Sequence, residues 1–420
     1  MHRAATVPET ATAEWRRFWP LPLAAALGYA TCVIHIYGFG VYIEPIAREF
    51  GWSRAQVTAG LTLSTILQAF AAVPIGIAVD RFGPRLLAVF GTALTCAAFA
   101  NLGAATGDKG NWYLLWIVMS AASLPIQATV WTGAVASRFA RSRGLALAVT
   151  LCGASVALAL FPWLGATLIR AYGWRQAMRI EALVWLAIAW PTVFLLFRGA
   201  TDRGRDGVKA ARVAKASSPG VSLREGFTST VYLRLLLAAL LFTFTMIGLN
   251  VHFPLVLKAR GFETVGAAAI SSVIGFASIP GRIGTGLLLD RYRASLVGAI
   301  AFALPTLACA VLLFGDGSAG AAMLAAALVG LTLGAEIDVI VFLTTAYFGL
   351  RHFGVLYGGI LAALSVGTAF GPLAAAWVYD RYGTYDPFLW MTAGVMLASC
   401  FALASLPRPP EIHAIEDLPA

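Results

Sequence analysis

Charged side chains are scarce in this chain. Asp, Glu, Lys and Arg make up 12% of the 420 residues, against about 25% in a water-soluble domain, which excludes an ordinary solvated surface. The five cysteines (Cys32, Cys96, Cys152, Cys309 and Cys400) stand singly. With no C-x-x-C spacing they offer neither a disulfide framework nor a thiolate metal site, and buried packing is their expected role. H-E-x-x-H, G-x-S-x-G and a complete phosphate-binding loop are all missing. No enzyme, no metal and no cofactor is therefore expected, and solute or ion gradients, a proton gradient foremost, are left as the energy source. A cleaved signal peptide is not expected: the first twenty residues are polar, end in Arg16-Arg17 before Pro20, and precede an apolar run too long for one, which is expected to stay as the first span.

What is present is apolar length. Hydrophobic residues make up 59% of the chain, in twelve runs at about 21–43, 56–79, 85–106, 112–136, 144–169, 178–198, 231–257, 264–289, 294–315, 319–347, 354–379 and 387–407. Most reach the roughly 20 residues with which a helix crosses a ~30 Å hydrocarbon core. Lipid gives the backbone no partners, so helices are required. The runs are too long and unbroken for the ~10-residue alternating segments of a barrel. An all-α membrane protein of twelve transmembrane helices in a lipid bilayer is expected. The net charge of +10 does not imply a nucleic-acid partner, because the basic residues are sorted by side. The side holding the N-terminus has 20 of the 30 Lys/Arg and the other has 9, with Arg282 alone inside a span. This is the positive-inside bias. It predicts cytoplasmic termini in a plasma membrane of the bacterial inner-membrane type.

The runs repeat at an offset of 210 residues. Gly76, Asp80 and Arg81 in GIAVDRFGPR return as Gly286, Asp290 and Arg291 in GLLLDRYR, and Arg141 and Gly144 return as Arg351 and Gly354. Pro162 returns as Pro372, and Tyr172-Gly173 as Tyr382-Gly383. A Gly-, Ala-, Ser- and charge-rich segment with seven Lys/Arg between Arg198 and Arg224 separates the copies and reads as a cytoplasmic linker. The expected division is a tail 1–20, a six-helix bundle 21–198, a linker 199–230, a second six-helix bundle 231–407 and a tail 408–420. Two similar halves predict a secondary transporter with its solute site where they meet. One chain holds both halves of a cavity, so a monomer is expected to function.

GIAVDRFGPR sits where the second span meets the cytoplasm. Asp80 can there cap a neighbouring helix or pair with an arginine, with Arg81 and Arg85 facing solvent and headgroups. This loop, with Gly76, Asp80, Arg81, Gly83 and Arg85, resembles the signature loop of the major facilitator superfamily, and it returns in degraded form with Asp290 and Arg291. The resemblance covers residues 20–407 and implies two pseudo-symmetric bundles working by alternating access. Four further segments resemble the monocarboxylate transporter and oxalate/formate antiporter group: GFGVYIEPIAREFGWSR, RFARSRGLALAVTLCGASV, LGAEIDVIVFLTTAYFGLRHFGVLYG and GPLAAAWVYDRYGTYDPF. That resemblance implies a small organic anion as cargo, a monocarboxylate foremost, moved in symport with a proton. The chain departs from the group in three places. The eleventh-helix lysine of the oxalate exchangers is absent from ILAALSVGTAFGPLAAAWVY, which disfavours a dianion. Ser278 stands where animal members carry an Asp, and the lysine they carry near the position of Tyr37 is missing.

Arg282 is the most informative single residue. Eight residues before Asp290, it lies ~12 Å inside the membrane at 1.5 Å per residue, where burial costs at least about 2.5 kcal/mol. Its planar fork suits a carboxylate, and by resemblance the matching arginine binds the substrate carboxylate. A structural pair with Glu336 or Asp338 is the other role open to it. Those two acids lie ~18 and ~15 Å deep and diverge by about 200° around their helix, so only one can face a cavity squarely. They are expected to couple a proton, with an interhelical hydrogen-bond network as the alternative. His252, near the outer end of the seventh span, is a third proton-coupling candidate because imidazole titrates near neutral pH. His35, Tyr37, Asn250 and Gln127 are candidates for substrate binding, and packing is the alternative for each. Two other functions stay open: drug efflux by proton antiport, for which Gly153 through Pro162 matches the exporters' fifth-helix motif only loosely, and a sensor or scaffold that has lost transport.

Overall fold

A backbone in lipid satisfies its polar groups only within itself, and the apolar runs do so as helices. In the computed structural model the described residues are 10–139, 141–198, 221–289, 291–349 and 352–409, and for 71–81, 353 and 354 the backbone alone is described. The first span is broken into Pro20–Cys32, Ile34–Tyr37 and a 3-10 turn Phe39–Tyr42, and continues beyond the span as a charged helix Ile43–Phe50. The second is Arg54–Phe82 and the third Pro84–Leu102. The fourth is Lys109–Ser123 and Ala128–Ala136 around a 3-10 turn Leu124–Ile126, where Pro125 withholds an N–H. The fifth and sixth are two helices within Arg143–Leu196, separated at Gly173, whose φ 74° and ψ 162° are not helical. The second half follows as Thr230–Ala259, Thr264–Leu289, Ala294–Phe314, Ala319–Phe348, Phe353–Tyr382 and Asp386–Ala404.

The sequence repeat is also a backbone repeat. Gly51, Gly107 and Gly173 take positive φ (65°, 90° and 74°), and so do Gly261, Gly317 and Gly383 (93°, 71° and 71°), each pair 210 residues apart. All six lie in turns on the face opposite the Arg- and Lys-rich one, hereafter the far side. Left-handed backbone there favours glycine, so the turns of one half are rebuilt in the other. Within the second half the eighth span packs on the tenth, the seventh on the eleventh and the ninth on the twelfth. Between halves the fifth meets the eighth, the second meets the eleventh, and the 3-10 turn of the first meets the seventh.

Within the N-terminal segment Ala11–Phe18 is a helix whose buried Glu14 accepts bonds from the Arg141 and Ser142 N–H groups, both at 3.0 Å. That carboxylate serves donors at the start of the fifth span, which have no partner inside the helix. Arg85 does not simply face solvent. It donates at 3.0 Å to the carbonyl of Phe194 in the last turn of the sixth span, where carbonyls likewise lack helical partners. Gly83 takes φ 79° in the turn into the third span, and Arg291 is exposed. The side chains of Asp80 and Arg81, the surroundings of Gly76, all of Asp290 and Arg351, and linker residues 199–220 lie outside the described residues. The rest of the linker contains a helix, Leu223–Thr228. All five cysteines are free, three of them buried.

Candidate functional site

The eighth and tenth spans touch backbone to backbone at Arg282. A Cβ on Gly334 would lie 2.1 Å from the Ser278 carbonyl oxygen and 2.7 Å from the Arg282 nitrogen. Small residues permit this approach in lipid, and one turn further along the tenth helix carries Asp338. Its Oδ1 lies 3.6 Å from Arg282 Nη1, an ion pair too long to be a hydrogen bond. Arg282 is 5% exposed, and among the described residues its Nε and Nη1 have no hydrogen-bond partner. Glu336 is also buried, with Oε1 unpartnered, whereas the Asp338 side chain is 30% exposed. The two acids thus diverge as their spacing dictates, and Asp338 is the one set against the arginine. Tyr29 and Tyr37 of the first span stand within electrostatic reach of Arg282 and Glu336. Tyr357 of the eleventh is within reach of Glu336 and Asp338. A buried planar cation with idle donors and a loose counter-ion, and with two first-half phenols in electrostatic reach, can receive a carboxylate.

The other candidates belong to different networks, and among the described residues none is hydrogen-bonded to Arg282. His35 Nε2 lies 3.1 Å from Gln68 Nε2, which also donates to Ser64 Oγ, and Gln127 donates to Gln68 Oε1 at 3.0 Å. Gln68 is thus the hub of a polar cluster in the first half. Ser64 and Gln68, four residues apart, share one helix face, and that spacing was the available signal. Asn250 is buried two residues before His252. Ser278 lies 2.6 Å from Ser155 of the fifth span, hydroxyl to hydroxyl.

His252 belongs to a closure on the far side. Its Nε2 lies 3.0 Å from the Pro372 carbonyl and its Nδ1 2.8 Å from Tyr385 Oη. A carbonyl only accepts, so Nε2 carries the hydrogen and Nδ1 accepts from the phenol. Tyr385 in turn accepts from Arg54 Nη1 at 2.6 Å, and the Arg54 guanidinium lies 3.7 Å from the centre of the Tyr379 ring. Asp380 of the eleventh span accepts from the Arg54 and Ala55 N–H groups at 3.0 and 2.8 Å, capping the second span from the other half. Beside it Lys258 donates to Glu44, again across the halves. Partial burial raises the Glu44 carboxyl, but the hydrogen bond and charge of Lys258, with the charges of Arg48 and Arg54, more than offset this, and its pKa lies below the ordinary 4.5. Thr62 donates to the Ala369 carbonyl at 2.7 Å deeper along the same seam. The molecule is closed on the far side. None of these pairs except His252 was singled out in the sequence, since their members lie hundreds of residues apart.

The profile of the Major Facilitator Superfamily matches residues 25–358. The chain is 22% identical over 392 residues to monocarboxylate transporter 13 of Bos taurus, covering 93% of this chain and 89% of that one. It is 28% identical over 410 residues to the chloramphenicol resistance protein of Streptomyces lividans, covering 92% and 95%. Among solved structures, the nucleoside transporter NupG superposes with a TM-score of 0.72 at 14% identity, over 92% of this chain and 98% of that one. The architecture, the backbone repeat and the profile agree: this multi-pass membrane protein belongs to the Major Facilitator Superfamily and is a transporter, not an enzyme.

Proposed function

We propose that the chain carries a small organic anion, a monocarboxylate foremost, across a plasma membrane by alternating access and in symport with a proton. The observation that carries this reading is Arg282: buried in the eighth span, with two nitrogens unbonded among the described residues and Asp338 only loosely opposed. In this reading Arg282 takes the carboxylate, with Tyr37 beside it, and Glu336 and Asp338 carry the proton. A monocarboxylate entering alone moves its charge against an inside-negative potential at about 2.3 kcal/mol per 100 mV; a co-transported proton cancels that charge. When the anion occupies Arg282, the arginine stabilises the neighbouring carboxylates less, which favours their protonation and couples the two loads. The basic face is then the cytoplasmic one, and a single chain suffices. The resemblance to monocarboxylate transporter 13 supports the substrate class.

The test is uptake of a labelled organic-acid panel into proteoliposomes, with and without an inward proton gradient. Arg282→Ala should abolish binding while the protein folds, and Arg282→Lys should bind weakly because the fork is lost. Unchanged affinity in a folded Arg282→Ala protein refutes the role. Continued gradient-driven accumulation by the double variant Glu336→Gln, Asp338→Asn excludes those acids as the proton site. The similarity to the chloramphenicol resistance protein favours a second reading, proton-driven export of an amphipathic drug. Chloramphenicol in the same panel, extruded in exchange for protons while carboxylates are ignored, would establish it.

A further inference from the structure

The sixth span buries an acid that the carboxylate site does not use. Glu181 is fully buried; its Oε2 accepts the Tyr42 hydroxyl at 2.5 Å, and its Oε1 has no hydrogen-bond partner among the described residues. Gly165 makes room for it, and Gly38 lies alongside. A Cβ on Gly165 would lie 3.2 Å from Oε2, and one on Gly38 would lie 3.7 Å from Oε1. From the first span Tyr42 is the titratable group that faces it, and the fifth span presents Gly165. Among the described residues no Lys, Arg or His pairs with it. A bare carboxylate in such a place lacks any compensating charge, and ionisable groups inside membranes mark functional paths. A proton on Oε1 removes the charge and leaves Oε2 to accept from Tyr42.

Its hydrogen-bond partner among the described residues rides on an element that touches the other half. Tyr42 ends the 3-10 turn Phe39–Tyr42. Two residues earlier, Gly40 lies against the Val251 carbonyl of the seventh span, where a Cβ would sit 1.9 Å from the oxygen. Rocking that parts the first and seventh spans pulls this turn relative to the sixth. We propose that Glu181 is a second proton-binding acid, in the N-terminal half, whose proton is sheltered while the far side is closed and exchanges when the Tyr42 turn moves off it. This rests on the transport reading above and adds a proton site remote from Arg282.

The experiment is ligand-free infrared spectroscopy of the purified full-length protein transferred into heavy water. A protonated-carboxyl absorption should be present in the parent, missing in Glu181→Gln, and shifted in Tyr42→Phe, which keeps the ring and loses the hydroxyl. Its deuterium exchange should be at least about tenfold faster in Gly40→Ala, which wedges the first span from the seventh. Should Gly40→Ala fail to fold, Asp380→Ala opens the same side. Absence of a band assignable to Glu181 overturns the proposal. So does a band whose exchange rate ignores both opening variants, which makes Glu181 a static packing acid. The readout needs no substrate, so its failure is separate from failure of the monocarboxylate reading, which the proteoliposome panel decides.

Discussion

Gly40→Ala should force the far side open. In the closed arrangement a Cβ at residue 40 would lie 1.9 Å from the Val251 carbonyl oxygen, whereas a carbon–oxygen contact needs about 3.3 Å. The two backbones must therefore separate by about 1.4 Å at a point where neither offers a flexible side chain. Overpacking of this kind costs about 1–3 kcal/mol. Under the proposed alternating access these spans part in the other state, and the cost then falls on the closed state alone. A difference of that size changes the ratio of closed to open molecules by about 5- to 150-fold. The assay is pulsed electron paramagnetic resonance between spin labels at Lys109 and Glu263, exposed far-side positions in opposite halves, in a background without the native cysteines. A longer distance should gain population in Gly40→Ala. Gly284→Ala is the control, since a Cβ there meets nothing within 4 Å. A distance distribution in Gly40→Ala identical to the parent's would refute the reasoning.

Three further outcomes are expected. Asp380→Ala removes the acceptor for two N–H groups at the start of the second span; loss of such a cap costs about 1 kcal/mol, and the same label pair should show a smaller shift in the same direction. Glu44 titrates below its ordinary 4.5 because Lys258, with Arg48 and Arg54, outweighs the effect of burial, so the pair with Lys258 strengthens closure above pH 4.5 and loses that contribution as pH falls through the lowered value. The closed distance should therefore lose population below pH 4.5, and Lys258→Met should remove that dependence. Gly334→Ala creates a clash as severe as that at Gly40, 2.1 Å from the Ser278 carbonyl, but inside one half. It should lower the melting temperature and leave the parent's label distances in place, and a shifted distribution would show that the eighth and tenth spans do not move as one body.

The spans were legible because lipid enforces a single rule: a long apolar run has to be a helix. The breaks were less so. Pro125 announces the interruption of the fourth span, but the first span breaks at Val33 and Gly38 with no proline at either break, where a polar chain of His35, Gln68 and Gln127 and the close passage of Val251 set the path. Arg282 stood out as an arginine deep inside an apolar run, far from either end, and its neighbour Asp338 followed from the facing depths of two helices. Glu181 did not stand out. It lies near the start of a run, two residues after Arg179, and reads as the polar margin of a helix, yet the fold closes over it completely. The far-side closure was invisible for another reason: Asp380 and Arg54 are 326 positions apart, and nothing local in either segment names the other.

Where backbones touch determines what can move. Lipid is as apolar as a leucine surface, so helices in it associate through close packing and polar contacts rather than through hydrophobic burial. Most of the closest glycine-mediated approaches lie within a half: Gly153 on Ala26, Gly281 on Leu331, Gly330 on Ile274, Gly371 on Phe244. Each replaces a side chain by direct backbone contact and has no easy alternative packing, so each half is built to travel as a unit. Across the halves the corresponding approaches are Gly40 on Val251 and Gly275 against Ser155 and Ala159. The remaining cross-half ties described above are polar: Asp380 on a helix N-terminus, Arg54 on Tyr385, Lys258 on Glu44. These are hydrogen bonds and one partly buried ion pair, and a hydrogen bond contributes only about 0.5–1.5 kcal/mol net, so each can be exchanged in turn. A rigid half on each side of a seam held by exchangeable contacts is the mechanical requirement for rocking about a central site. It also explains why Arg282, Glu336 and Asp338 can share one half. Their mutual geometry survives the motion, while the phenols of the first span come and go with the other half.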